Sequence, residues 1–153
     1  MQSLELKIPP PVAGVFTGLG MWWTAHLLSP AHSAGLVRTI VACAVAMLGL
    51  SLGISGVWTL RRSKTSVSPV HPEAASSVVT SGIFGYTRNP MYVGLIFVLT
   101  GWAVWISVPW AFPGPVALMI FLLRFQIIPE ERVMSSKFGR DYNDYCKRVR
   151  RWI

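Results

Sequence analysis

The sequence predicts an all-α integral membrane protein with four transmembrane helices and a C-terminal amphipathic helix, in one domain. Three observations carry that expectation. The chain is 52% apolar and only 13% charged, whereas a soluble domain carries about 25% charged residues. Its charges avoid residues 41–60 and 103–123 altogether, and each of those runs is long enough to read as a crossing. A chain of 153 residues also has no polar shell large enough to bury several such runs as core helices.

Residues 1–11 form a short flank. Leu4, Leu6 and Ile8 alternate with polar residues too briefly for a strand, and Pro9, Pro10 and Pro11 end whatever precedes them. The first helix is expected over residues 12–28, whose rise of about 26 Å spans a thin bilayer. Trp22, Trp23 and His26 near its far end suit a membrane interface. Lys7 before this run and Ala31-His32-Ser33 after it loosely imitate a signal peptide and its cleavage site. The prolines and the length of the run favour a retained helix instead.

Pro30, Ser33 and Gly35 break the chain into a first turn over residues 29–35. The second helix, residues 36–60, carries Ala42, Ala46, Gly49, Gly53 and Gly56, small residues that let helices approach closely in lipid. Arg61, Arg62 and Lys64 follow it, whereas the first turn has no lysine or arginine. That asymmetry puts the basic loop and both termini in the cytoplasm. The expected location is a bacterial inner (cytoplasmic) membrane. The cytoplasmic loop, residues 61–89, is polar and broken by Pro69 and Pro72; Val78-Val79-Thr80 is the one candidate for extended chain. So long a loop in so short a chain reads either as a flexible connection or as a wall over a site.

A third helix is expected over residues 90–108, with Pro90 in its first turn, and a fourth over residues 115–128. Together they form a hairpin that returns the chain to the cytoplasmic side, with Arg124 near the inner end of the fourth. In the tail, residues 130–153, Phe138, Tyr142, Tyr145, Val149 and Trp152 make an aromatic stripe, and the other faces are largely basic. This reads as an interfacial helix, interrupted at Gly139, whose basic side meets anionic headgroups. No internal repeat is present.

The net charge of +8 belongs to this membrane pattern rather than to nucleic-acid binding. Cys43 and Cys146 suggest neither a disulfide framework nor a zinc site, and no metal is expected. The polar residues worth attention lie in two clusters that the hairpin brings to one membrane face. The first is Tyr86, Arg88, Asn89, Pro90, Tyr92 and Gly94; the second is Glu130 and Glu131. Arg88 can clamp a carboxylate as a fork, and Tyr86 and Tyr92 can cover a ring or a methyl-bearing cation. Adjacent glutamates point about 100° apart on a helix, so each takes its own partner: one a ligand, the other Arg88 or Arg124. In their plainest role both stabilise a first helical turn after Pro129. Many ligands would suit such a cavity, a zwitterion with an adenine ring among them.

Val79-Thr80-Ser81-Gly82, the Arg88-Asn89-Pro90-Met91-Tyr92-Val93-Gly94 block, Glu130-Glu131 and the Phe138–Trp152 tail carry a resemblance in order and spacing. Over its last half the chain resembles the isoprenylcysteine carboxyl methyltransferase and phospholipid methyltransferase superfamily of membrane enzymes. The resemblance implies methyl transfer from S-adenosyl-L-methionine, bound at the cytoplasmic membrane face, to a lipid or another lipophilic, membrane-delivered carboxylate, thiol or amine. By position it implies that Arg88, Asn89, Pro90, Tyr92, Gly94, Glu130 and Glu131 hold the cofactor, with Arg88 and Glu131 on opposite sides of one cavity; Tyr86 is expected to join them as an aromatic cover. The tail arginines Arg148 and Arg151 would then meet the substrate as catalytic residues, or anchor the membrane. Many members have histidine where this chain has Asn89. The sulfonium charge vanishes in the transition state, which argues for glutamates at the ribose or amino end of the cofactor rather than at sulfur. Two rival readings are a noncatalytic accessory protein and a membrane reductase on a related scaffold. A reductase would need a basic, glycine-rich stretch for its larger nicotinamide cofactor, which the sequence lacks.

Overall fold

The computed structural model describes residues 5–28, 35–66, 68 and 70–153. The first turn with Pro30 and Ser33, the cleavage-like Ala31-His32-Ser33, Leu4 and Pro69 lie outside the described residues. Among the described residues six α-helices follow in order: α1 Pro10–Leu28, α2 Leu36–Arg62, α3 Pro90–Ile106, α4 Pro113–Leu122, α5 Ile128–Phe138 and α6 Arg140–Arg148. No strand occurs among the described residues, and Val78-Val79-Thr80 is irregular chain. The protein is an all-helical membrane protein. Leu36–Arg62 and Pro109–Phe138 are both long and apolar enough to cross a membrane, and the apolar α3 is shorter.

The tightest packing joins α2 to α3. A Cβ placed on Gly94 would sit 2.5 Å from the Gly49 carbonyl oxygen and 2.8 Å from the Gly53 nitrogen, and one on Gly101 would sit 2.7 Å from the Ala42 carbonyl. No side chain fits between these backbones, which is why glycine stands at both crossings. α1 joins through the indole N–H of Trp102, which donates to the Gly18 carbonyl at 3.1 Å. A small core of Met21, Leu99, Ala103, Leu118 and Leu122 lies between α1, α3 and α4. The outward faces of α1 and α2 leave Phe16, Trp23, Val37 and Trp58 exposed, as expected where the surrounding solvent is lipid.

The fourth apolar run does not stop at residue 128. α4 passes through a widened π turn, Leu123–Ile127, directly into α5. The Ile128 N–H bonds to the Leu123 carbonyl, five residues back. Pro129 explains the widening: it has no N–H for the Phe125 carbonyl, and its ring crowds that carbonyl in a regular helix. Gly139, at φ +54°, then breaks the chain between α5 and α6.

The loop after α2 folds back on itself. The Thr65 hydroxyl accepts from the Ser76 N–H at 2.9 Å, and the Ser76 hydroxyl donates to the Lys64 carbonyl at 3.2 Å. Two short 3₁₀ turns, Pro72–Ala74 and Gly82–Gly85, give it further shape.

Candidate functional site

Asn89 is the N-cap of α3, and its carbonyl receives the N–H groups of Tyr92 and Val93 at 3.1 and 3.0 Å. Its side chain is not spent on capping. The amide donates to the Arg151 carbonyl at 2.8 Å, while the Arg88 N–H donates to the Arg150 carbonyl at 3.0 Å. Thr87 reaches the same Arg151 carbonyl at 3.4 Å. The buried Tyr145 hydroxyl donates to the Phe84 carbonyl at 2.8 Å. These bonds sew the tail, residues 145–151, onto the turn before α3.

Sewing the tail there brings three charged groups together. Glu131 receives Arg151 as a two-point fork, from Nε at 3.0 Å and from Nη2 at 2.6 Å. Arg88 Nη1 reaches the same carboxylate at 3.1 Å and also contacts the Cys146 sulfur. Arg88 Nε is buried without a hydrogen-bond partner among the described residues. Glu130 makes a different contact: it accepts a hydrogen bond from the Tyr92 hydroxyl at 2.9 Å. It has no ion pair among the described residues.

The hydrogen bond to Glu131 raises the Arg151 pKa above its ordinary value, so the fork stays charged. Burial pushes the phenols of Tyr142 and Tyr145 up, so both are neutral donors at physiological pH.

Arg88, Asn89, Pro90, Tyr92, Glu130, Glu131, Tyr142 and Tyr145 line a cavity of about 90 Å³, and His71, Pro72, Ala75, Ser77, Val78 and Val79 of the loop line it with them. The loop is therefore a wall of this cavity. A second, apolar groove of about 670 Å³ runs along α2 and α3, lined by residues such as Gly49, Gly53, Trp58, Gly94 and Val98. Met91 and Tyr92 line both spaces, so polar cavity and apolar groove share a wall.

Six of the expected cofactor residues thus meet: Arg88, Asn89, Pro90, Tyr92, Glu130 and Glu131. Tyr86 is 78% exposed and outside the cavity lining. Gly94 faces α2 and the apolar groove. Arg148 is exposed and shares a surface cleft with Asp141 and Asp144. Arg88 and Glu131 are in direct contact rather than facing each other across open space. Arg124 pairs with Glu5 at 2.9 Å, not with either glutamate. α5 continues from the π turn, so Glu130 and Glu131 do not stand at a free helix start. Sequence reasoning missed Phe84, Tyr142, Tyr145 and Cys146 as site residues. The i, i+3 spacing of the two tyrosines was the available signal, since it puts them on one face.

These features define a class: an all-helical membrane protein whose tail closes one end of the bundle around a cavity of arginine, glutamate and tyrosine. The chain belongs to the phospholipid methyltransferase family, whose model matches residues 37–141. A protein of Oryza sativa subsp. indica named "Probable protein-S-isoprenylcysteine O-methyltransferase" is 30% identical over 130 residues, 82% of this chain and 66% of that protein. Protein-S-isoprenylcysteine O-methyltransferase B of Arabidopsis thaliana is 30% identical over 139 residues, 88% of this chain and 61% of that protein. An uncharacterized protein of Haemophilus influenzae is 36% identical over 63 residues, which is 41% of this chain and all of that shorter protein. The chain therefore spans about two thirds or less of the length of its plant relatives. No solved structure matches the chain.

Proposed function

We propose that this protein transfers a methyl group from S-adenosyl-L-methionine to a lipophilic acceptor delivered through the membrane. The observation that carries the proposal is the polar cavity sharing Met91 and Tyr92 with an apolar groove. Such a junction lets a water-soluble donor and a membrane-borne acceptor meet at one wall. Family membership and the names of the plant relatives support the same chemistry.

The residues present suit the donor. Arg88 lines the cavity, and its Nε is a buried donor with no partner among the described residues, matched to an amino-acid carboxylate. Glu130 has acceptor capacity left for ribose hydroxyls or an ammonium group. Phe84, Tyr142 and Tyr145 supply ring faces. S-adenosyl-L-methionine, when bound, supplies an activated methyl group on a sulfonium. The protein holds the reactants in line and excludes water. Glu131 orients Arg88 and Arg151, and Tyr92 orients Glu130. A carboxylate or thiolate acceptor needs no base, whereas an amine acceptor must lose a proton. Glu130 is the cavity carboxylate without an arginine, and its free oxygen is the group available to take that proton.

The cavity volume of about 90 Å³ is below the roughly 300 Å³ of a typical ligand pocket. Admission of the donor therefore requires the loop or the tail to move outward. In the proposed topology four helices cross a bacterial inner membrane, with the loop, the tail and both termini on the cytoplasmic side.

Calorimetric titration of the detergent-purified protein with S-adenosylhomocysteine and with NADPH tests the proposal. We expect saturable binding of the first and none of the second. NADPH binding alone would favour the reductase reading, and binding of neither would leave an accessory protein.

A further inference from the structure

We infer that residues 5–8 are a strap that fixes the rotation of α5, and through it the direction in which Glu130 and Glu131 face. The inference begins at the π turn. One extra residue in a helix turns everything beyond it by about 100° relative to an uninterrupted helix. Glu130 and Glu131 lie just beyond the turn, so their contacts with Tyr92 and Arg88 depend on its being kept. Pro129 favours the turn but leaves the Phe125 carbonyl without its usual donor.

The strap supplies that donor. The Leu6 N–H bonds to the Phe125 carbonyl at 3.0 Å, and the side-chain amide of the fully buried Gln126 donates to the Ile8 carbonyl. Leu6 adopts φ +57°, a left-handed backbone that leucine rarely takes; its bond to Phe125 is made from this conformation.

Glu5 binds the rod within the turn and beyond it. Its carboxylate meets Arg124 at 2.9 Å and Arg132 at 3.4 Å. In a regular helix two residues eight apart point about 80° away from each other. With one extra residue between them the mismatch falls to about 20°. One carboxylate can then hold both arginines along one face, so the Glu5 pair of contacts selects the widened helix over the regular one. Glu5, Leu6 and Ile8 are positioning residues: they act through the helix and touch neither cavity.

The rotation of α5 is a property of the helix alone, whereas its consequence for binding rests on the S-adenosyl-L-methionine reading. Two readouts separate them. The Ser135 hydroxyl of α5 donates to the Asn143 side-chain oxygen of α6 at 2.9 Å. A Ser135→Cys/Asn143→Cys pair, in full-length protein carrying Cys43→Ala and Cys146→Ala, therefore reports α5 rotation by its rate of oxidative cross-linking. Calorimetry with S-adenosylhomocysteine, on protein with its native cysteines, reports the cavity. Leu6→Pro removes the N–H and forbids φ +57°. Glu5→Gln removes the charge and leaves the backbone intact, so it serves if Leu6→Pro fails to fold. Leu6→Gly keeps the N–H and takes a left-handed backbone freely.

We expect Leu6→Pro to slow cross-linking and weaken binding by about tenfold or more, Glu5→Gln to do both a few-fold, and Leu6→Gly to retain both. Parental cross-linking rates in Leu6→Pro and Glu5→Gln would overturn the strap. If the parent protein binds no S-adenosylhomocysteine, the cofactor reading fails and the cross-linking rates alone decide the strap.

Discussion

The α2–α3 pair is held along its length and at its end by opposite means. Along its length, backbone touches backbone: Gly94 against Gly49, and Gly101 against Ala42. At its end, two side chains from distant segments, Arg88 before α3 and Arg151 in the tail, share one carboxylate, that of Glu131 in α5. The first contact admits no added atom. The second is a set of pairings between side chains that can be exchanged one at a time. The difference separates a rigid frame from a junction able to open, which a cavity smaller than its proposed ligand requires. Four sets of variants test that division.

The largest effect is expected where backbone meets backbone. Gly94→Leu must push α2 and α3 apart, because even its Cβ would lie 2.5 Å from the Gly49 carbonyl oxygen. Overpacking of this kind costs about 1–3 kcal/mol when neighbours can yield, and here the neighbour is backbone. We expect little folded protein after extraction, read by size-exclusion profile and thermal melting. A monodisperse Gly94→Leu protein melting with the wild type would show that the frame is looser than the geometry requires.

Removing residues 148–153 should leave the frame and abolish the junction. The cut takes away the Arg151 fork and the carbonyls that receive Arg88 N–H and Asn89. Losing two charge-assisted contacts at about 1.5–3 kcal/mol each predicts a fall of more than about 100-fold in affinity for S-adenosylhomocysteine. Membrane insertion should be unchanged. Full affinity in the truncated protein would reduce the tail to an anchor.

This division also sets what could be read from sequence. The α2 side of the frame was legible because its cause is local: the small residues of 42–56 lie in an uncharged run, and lipid leaves such a run few alternatives. Gly94 reads in the sequence as a cofactor residue, and its contact with Gly49 depends on a neighbouring helix. The approach of Arg88 to Glu131 was legible because a hairpin must return its ends to one face. The continuity of α4 with α5 was not, because Pro129 reads locally as a stop. A widened turn rescued by the N–H of Leu6 depends on a partner more than a hundred residues away. The second partner of Glu131 was hidden for a similar reason. Nothing in Arg148, Arg150 and Arg151 tells which of three basic residues turns inward once α6 ends at Arg148 and the chain becomes extended.

Within the junction, Arg88 and Glu131 should separate by readout. Arg88→Ala leaves Glu131 with its Arg151 fork, so stability should change little while affinity for S-adenosylhomocysteine falls about 10- to 150-fold. Arg88→Lys should remain impaired, since a point charge does not reproduce a fork. Glu131→Gln leaves two guanidinium groups facing each other without their shared anion, and should lower the melting temperature more than Arg88→Ala does. Equal affinities across the set would remove these residues from the donor site.

The smallest effect is expected at Arg148, and it is most informative beside Arg151. The two lie three residues apart in one basic tail, yet one is the exposed last residue of α6 and the other grips Glu131 from a part-buried position. Among the described residues the hydrogen bond of Arg148 stays within its own helix, from Nε to the Asp144 carbonyl at 3.4 Å. Its loss should change turnover by less than about twofold, as for an exposed charge. At high salt even that difference should shrink, because an exposed guanidinium near anionic headgroups acts through a screened field. Arg151→Ala removes a two-point fork and should cost about tenfold or more in affinity at any salt. Parallel measurement of both variants in vesicles with and without anionic lipid decides the matter. A loss of turnover in Arg148→Ala that persists in neutral vesicles at high salt would return Arg148 to the reacting groups. A loss seen only on anionic vesicles at low salt would confine it to the membrane surface and leave the carboxylate of Glu131 to Arg88 and Arg151.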